Sequence, residues 1–219
     1  MSALRRPYAL VAILAGLIGL GINFQLIMGG MWAPTETGGP PRGPVGTFVY
    51  FWSFFTHLTN LWLILCYVSE LTGWRWLSWL RHPVGRASMA GSITLVMVFY
   101  HFMLAPNYHF EGGLLVSNIL MHYVSPFLYL VWWAALSSHG TLRPRQVPLM
   151  LLPGLGYLAY ALVRGAITGE YPYDIINVTK VGYGGVAIGA AILIVLVAIF
   201  CALLVGLDRL LARNQTAPA

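Results

Sequence analysis

The chain has 219 residues, 58% of them hydrophobic and only 8% charged, and its mean hydropathy is +0.75. Soluble domains carry about 25% charged residues, so a chain this poor in charge cannot cover a water-facing surface, and membrane residence is expected. The net charge of +6 does not point to nucleic acid, because the basic residues stand singly or in pairs at the ends of apolar runs, as they do in cytoplasmic loops.

Arg5 and Arg6 precede an apolar run that is too long for a signal peptide and lacks a small-residue cleavage site, so it reads as a retained first span. Six segments approach the ~20 residues needed to cross the hydrocarbon core. They run approximately over 8–29, 47–70, 87–105, 114–136, 147–165 and 181–207. Short loops join most of them, which predicts one domain over 1–219, an all-α integral membrane bundle of six helices. The longest loop, 30–46, is rich in Gly and Pro and reads as irregular. Cys66 and Cys201 lie inside apolar runs and read as buried thiols.

The basic residues orient the bundle. Nine of the twelve, Arg5, Arg6, Arg75, Arg81, Arg86, Arg143, Arg145, Arg209 and Arg213, fall on one side. Arg42, Arg164 and Lys180 fall on the other, with Glu36, Glu111, Glu170 and Asp174. The positive-inside rule then places both termini in the cytoplasm.

Polar side chains inside such spans are costly and ask for partners. The second span carries Thr56, His57, Thr59 and Asn60 within FWSFFTHLTNLWLIL. In the fourth, Asn118, His122, Ser125 and Tyr129 recur on one helical face, and Pro126 frees the His122 carbonyl. At ~1.5 Å per residue, Thr56 lies about 14 Å below the outer end of its span and His122 about 12 Å below its own. His101 lies about 6 Å in, level with Asn118. A hydroxyl and an imidazole at one depth are the minimum for a nucleophile and its base.

Each residue also has a plainer reading. An intramembrane Thr commonly bonds the carbonyl one turn back, here that of Trp52. His122 could bridge helices, His57 could be structural or line the site, and Asn60 reads as packing glue. Asn118 and Ser125 could orient His122 or cap the kink at Pro126. Tyr171, Tyr173 and Trp32 read as interfacial belt aromatics.

The combination SFFTHLTNLW around Thr56, FYHFMLAP around His101, NILMHYVSPFLYLVWW around His122 and YPYD at Tyr171–Asp174 resembles the bacterial Pr6Pr-type six-span membrane proteins. It is more distantly similar to the androgen-induced and androgen-dependent membrane hydrolases of animals. The likeness covers about 47–209. It implies hydrolysis of fatty-acid esters of hydroxy fatty acids, with Thr56 as nucleophile and His122 as general base, in a bacterial inner membrane. The animal proteins have YPF or YPYPF in the outer loop where this chain has YPYDII, so the likeness assigns that loop no role.

On that reading Thr56 attacks a lipid ester, an acyl-threonine forms, and water resolves it. No carboxylate lies at the depth of His122, which predicts a dyad, with Asp174 in reach only if its loop folds inward. Mid-helix N–H groups are already bonded, so side chains are expected to hold the oxyanion: His101, Asn118, His57 or a Tyr. Ser125, Asn60 and Tyr129 are supporting candidates. No cofactor is expected; the partners are the bilayer and a lipid or fatty-acid ester. The rivals are a small lipid or solute transporter or binding protein using the same cluster, a zinc hydrolase ligated by His57, His101 and His122, and a haem protein.

Overall fold

A computed structural model describes residues 4–35, 39–107 and 109–216, with side chains to 213. Glu36, assigned by sequence to the outer side, lies outside the described residues. Among the described residues there are nine α-helices, in order α1 (Arg5–Gly29), α2 (Gly43–Phe51), α3 (Phe55–Thr72), α4 (Ser78–Arg81), α5 (Pro83–Phe99), α6 (Gly112–Ile119), α7 (Ser125–Leu136), α8 (Val147–Thr168) and α9 (Val178–Thr216). No strand occurs among the described residues. Five helical stretches there are long and apolar enough to cross a membrane: Arg5–Gly29, Pro83–Asn107, Gly112–Leu136, Pro144–Thr168 and Val178–Arg213. The pair α2 and α3 would be a sixth if taken as one span, and these apolar helices fit an integral membrane protein.

α5 is the hub, packed against α3, α7, α8 and α9. Its sequence explains this. Ala87, Ser88, Ala90, Gly91 and Ser92 are all buried, and small side chains let helix backbones approach where the surrounding lipid offers no hydrophobic drive. At Gly91 a Cβ would stand 2.7 Å from Cys201 Sγ of α9, so only glycine permits that spacing. α1 closes the bundle against α3 and α6.

The second apolar run is not one straight helix. It breaks at Trp52–Phe54, where α3 turns 71° from α2 and Phe54 is extended (φ −85°, ψ 131°). A break in an apolar setting exposes backbone carbonyls that must find donors. The neighbouring polar residues supply them. Ser53 Oγ donates to Tyr50 O (2.6 Å), His57 Nδ1 to Phe51 O (2.5 Å) and Tyr157 Oη of α8 to Ser53 O (2.9 Å). The His57 ring also stacks on Phe51, with centroids 4.1 Å apart. His57 is therefore a structural clasp across the bend.

Two π-helical turns, Tyr100–Leu104 after α5 and Leu120–Val124 between α6 and α7, share a cause. Each is followed two residues later by proline, Pro106 or Pro126. Proline lacks the N–H that would bond the carbonyl four residues back and its ring crowds that carbonyl, so the preceding turn widens. The Ser125 N–H accordingly bonds Leu120 O, five residues back.

At the end of the bundle away from this bend, Asp208 of α9 is buried and accepts from the N–H groups of Gly140 (3.0 Å) and Leu142 (2.9 Å). The Glu70–Arg86 pair also lies there, and Tyr129 Oη donates to Arg86 O (3.2 Å). Tyr129 is thus remote from Thr56, not supporting it. Seven residues beyond His122 on one face is about 10 Å further along the axis.

Candidate active site

Thr56 and His122 meet. Thr56 Oγ lies 3.4 Å from His122 Nε2, and both residues are buried. The bend explains why the hydroxyl faces the imidazole instead of the Trp52 carbonyl: Trp52 belongs to the other side of the break. Thr56 sits at the second position of α3, one residue past Phe55, and not in mid-helix.

The His122 ring is held from three directions. Its Nδ1 stands 3.1 Å from the Asn118 carbonyl, which can only accept, so Nδ1 carries the proton and Nε2 presents a lone pair to Thr56. Tyr100 stacks on its face, centroids 3.8 Å apart and planes 16° from parallel. Each π-helical turn therefore carries one ring of this stacked pair, and such turns are frequent at functional sites. Asn118 orients the base through its backbone, while its side chain bonds Leu114 O at 2.8 Å.

Asn60 secures the spacing of the two segments. Its Nδ2 donates to Thr56 O (2.8 Å) on its own helix and to Met121 O (3.1 Å) beside His122. Ser125 Oγ is buried with no hydrogen-bond partner and does not touch His122 through a hydrogen bond. His101 departs from expectation. It is exposed and its Nδ1 pairs with Tyr123 Oη at 3.1 Å, outside the site. The wide turn that begins at Tyr100 turns that tyrosine, and not His101, toward His122. The three histidines consequently face three different environments, and among the described residues no group of three His, Cys, Asp or Glu side chains converges to hold a metal ion.

The outer loop supplies what residue-by-residue reading missed. Tyr173, expected to be a belt aromatic, folds inward: the Thr56 N–H donates to its Oη at 3.4 Å. Phe55, Thr56 and Tyr157 line the same pocket as Tyr173. Burial raises the Tyr173 phenol above its ordinary value, so at neutral pH it bears its proton. The loop is pinned by charge. Glu170 takes Arg42 Nε (2.8 Å) and Arg164 Nη2 (3.0 Å), and Arg164 Nη1 donates to the Glu170 carbonyl (2.7 Å). Tyr171 fills the space that a side chain at Gly165 would need. Asp174 points away, exposed, and pairs with Lys180 at 2.7 Å, so no carboxylate reaches His122 through it.

No protein-family model matches the chain, and no solved structure matches it.

Thr56, His122, Tyr157 and Tyr173 border a partly open pocket whose remaining walls are mainly apolar, from α5, α8, α9 and the loop residues Ile175 and Ile176. Pockets for organic ligands are likewise mostly apolar with a few placed polar groups. On α8 the lining residues Leu151, Gly154, Leu155 and Leu158 form one helical face. Leu155 is exposed, in keeping with a pocket that opens to the surface.

Proposed function

We propose that this protein is an intramembrane lipid-ester hydrolase with Thr56 as nucleophile and His122 as general base. One observation carries the reading: a hydroxyl faces the free nitrogen of an imidazole whose other nitrogen is bound to a carbonyl, at the polar end of an apolar cavity. A bound Nδ1–H fixes the basic lone pair on Nε2, the tautomer a general base requires. The 3.4 Å separation exceeds a tight catalytic bond of about 2.6–3.2 Å, as is common before substrate is bound. The resemblance to the bacterial six-span proteins and the animal hydroxy-fatty-acid ester hydrolases supports the same roles.

In the proposed reaction, Nε2 takes the Thr56 proton as Oγ bonds to the ester carbonyl carbon. The tetrahedral intermediate collapses with cleavage of the carbon–alkoxide bond, and the Nε2 proton passes to the leaving alcohol. Water then attacks the acyl-threonine, giving its proton to Nε2, and the freed Thr56 oxygen takes it back as the carboxylic acid leaves. While protonated, the imidazolium keeps its Asn118 acceptor and lies against the Tyr100 ring, a cation–π contact. The chain would cross a bacterial inner membrane six times, α2 and α3 forming one bent span, with both termini cytoplasmic. The site would then lie in the outer half, where an acyl chain reaches it from lipid and water over a short path.

Incubation of the purified protein with a long-chain fatty-acid ester, followed by acid quenching and peptide mass spectrometry, should give an acyl adduct on Thr56 and stoichiometric alcohol release. Binding of the ester with no adduct and no alcohol would favour a lipid-binding protein instead. The cavity makes a separate prediction. A Cβ at Gly154 would meet nothing within 4 Å, so a large side chain there can turn into the cavity. Gly154→Trp should lower kcat/KM for long-chain esters by about tenfold or more, in the range expected for pocket sterics. Butyrate esters should be spared, as an ester chain-length series would record.

A further inference from the structure

The side chains expected to face the developing oxyanion do not all do so. His101 is outside the site, His57 is spent on the Phe51 carbonyl, and the Asn118 amide is spent on Leu114 O. What the bend supplies instead is a helix start. Because α3 begins at Phe55, the N–H groups of Phe55 and Thr56 lack the intrahelical partners they would have in mid-span, and that of Thr56 donates to the Tyr173 hydroxyl. A hydroxyl that accepts from an N–H on one side aims its own proton elsewhere. Thr56 and Tyr173 both border the pocket.

We infer that Tyr173 is a further catalytic residue, the hydrogen-bond donor that, together with the Thr56 N–H, stabilises the tetrahedral oxyanion formed on Thr56. The inference rests on the hydrolase reading proposed for the same site. A tyrosine 117 residues from Thr56 in sequence is brought to the nucleophile's own N–H. Its loop is held by two arginines on the single carboxylate of Glu170. The chemistry suits the place. In the resting site Tyr173 Oη occupies the acceptor position of the Thr56 N–H; as the ester carbonyl becomes an alkoxide beside Thr56 Oγ, that N–H and the phenol proton both gain a charged acceptor. The positive end of the α3 dipole adds to the same effect. Donors aimed at charge that exists only in the transition state accelerate the chemical step without tightening substrate binding.

The test is Tyr173→Phe, which keeps the ring and its edge contact with Phe54 (centroids 5.9 Å apart) and removes only the hydroxyl. For wild type and variant in the same detergent or nanodiscs, kcat and KM on one long-chain ester and the inhibition constant of a trifluoromethyl ketone analogue of it would be measured. The expected result is a kcat lower by about 10²–10³-fold, the usual effect of losing one oxyanion donor, with KM within about threefold. Affinity for the ketone, which binds as a tetrahedral adduct, should fall in parallel, while affinity for the product fatty acid stays. If Tyr173→Phe fails to fold, 3-fluorotyrosine placed at position 173 keeps the shape and makes the phenol more acidic; kcat should then change while KM does not. Equal kcat in wild type and a folded variant would overturn the role of Tyr173 and leave the Thr56–His122 reading standing. A wild type that hydrolyses no ester would overturn both.

Discussion

Thr56→Ala should retain its fold and lose ester hydrolysis by about 10⁴-fold or more, the scale on which removing a nucleophile acts in hydrolases built on this logic. At 1.36 kcal/mol per decade this corresponds to about 5.5 kcal/mol or more of lost transition-state stabilisation. The fold should survive because the groups that hold this part of the bundle are not the Thr56 hydroxyl. Its N–H reaches Tyr173, its carbonyl is held by Asn60, and the bend is clasped by His57 and Tyr157. A fluorophosphonate probe that labels the wild type should leave Thr56→Ala unlabelled, while a solvatochromic fatty-acid probe should still enter the cavity. Thr56→Ser, which keeps the hydroxyl, should restore labelling. Full labelling of Thr56→Ala would remove Thr56 from the mechanism.

His122→Ala should cost about as much as Thr56→Ala, because a weak alcohol nucleophile without its base is nearly inert. Residues that act as a unit are strongly non-additive, so the double variant should be little worse than either single one. The geometry offers a more discriminating readout. Truncating His122 leaves a flat slot between Tyr100 and Thr56, with the Asn118 carbonyl still at its far end. Added imidazole fits that slot and can make the same two hydrogen bonds, so it should restore turnover in proportion to its concentration. It should not rescue Thr56→Ala. Substantial activity of His122→Ala without imidazole would show that another group takes the proton.

These expectations depend on features of unequal visibility in the sequence. The helical content and the membrane character come from composition and run length, because an apolar segment near 20 residues long with little charge has few alternatives to a membrane helix. The meeting of Thr56 with His122 was also legible, since both lie at similar depths from the same side, and depth depends only on residue count and helical rise. The His122 kink was legible from Pro126. His57 and Asn60 could be assigned to structure, though not to the particular carbonyls they satisfy.

Rotation about the helix axis, local breaks and loop paths were not legible. His101 faces away from the site, because the turn starting at Tyr100 is π-helical and one extra residue in a turn swings the residues beyond it by roughly 100°. Nothing in FWSFFT marks a bend, for it contains neither Gly nor Pro; the carbonyls freed there are bonded by His57 and by Tyr157, a residue 104 positions from Ser53. That bend turns a mid-span threonine into a helix-start threonine with an N–H to offer. Tyr173 reads as an interfacial aromatic from its short loop, because its partner Thr56 lies 117 positions away in the chain. Composition and spacing specify a set of apolar helices that carry a hydroxyl and an imidazole at similar distances from their span ends. Which way each side chain faces, and which distant loop closes over it, follows from packing and hydrogen bonding between segments that local periodicity cannot relate.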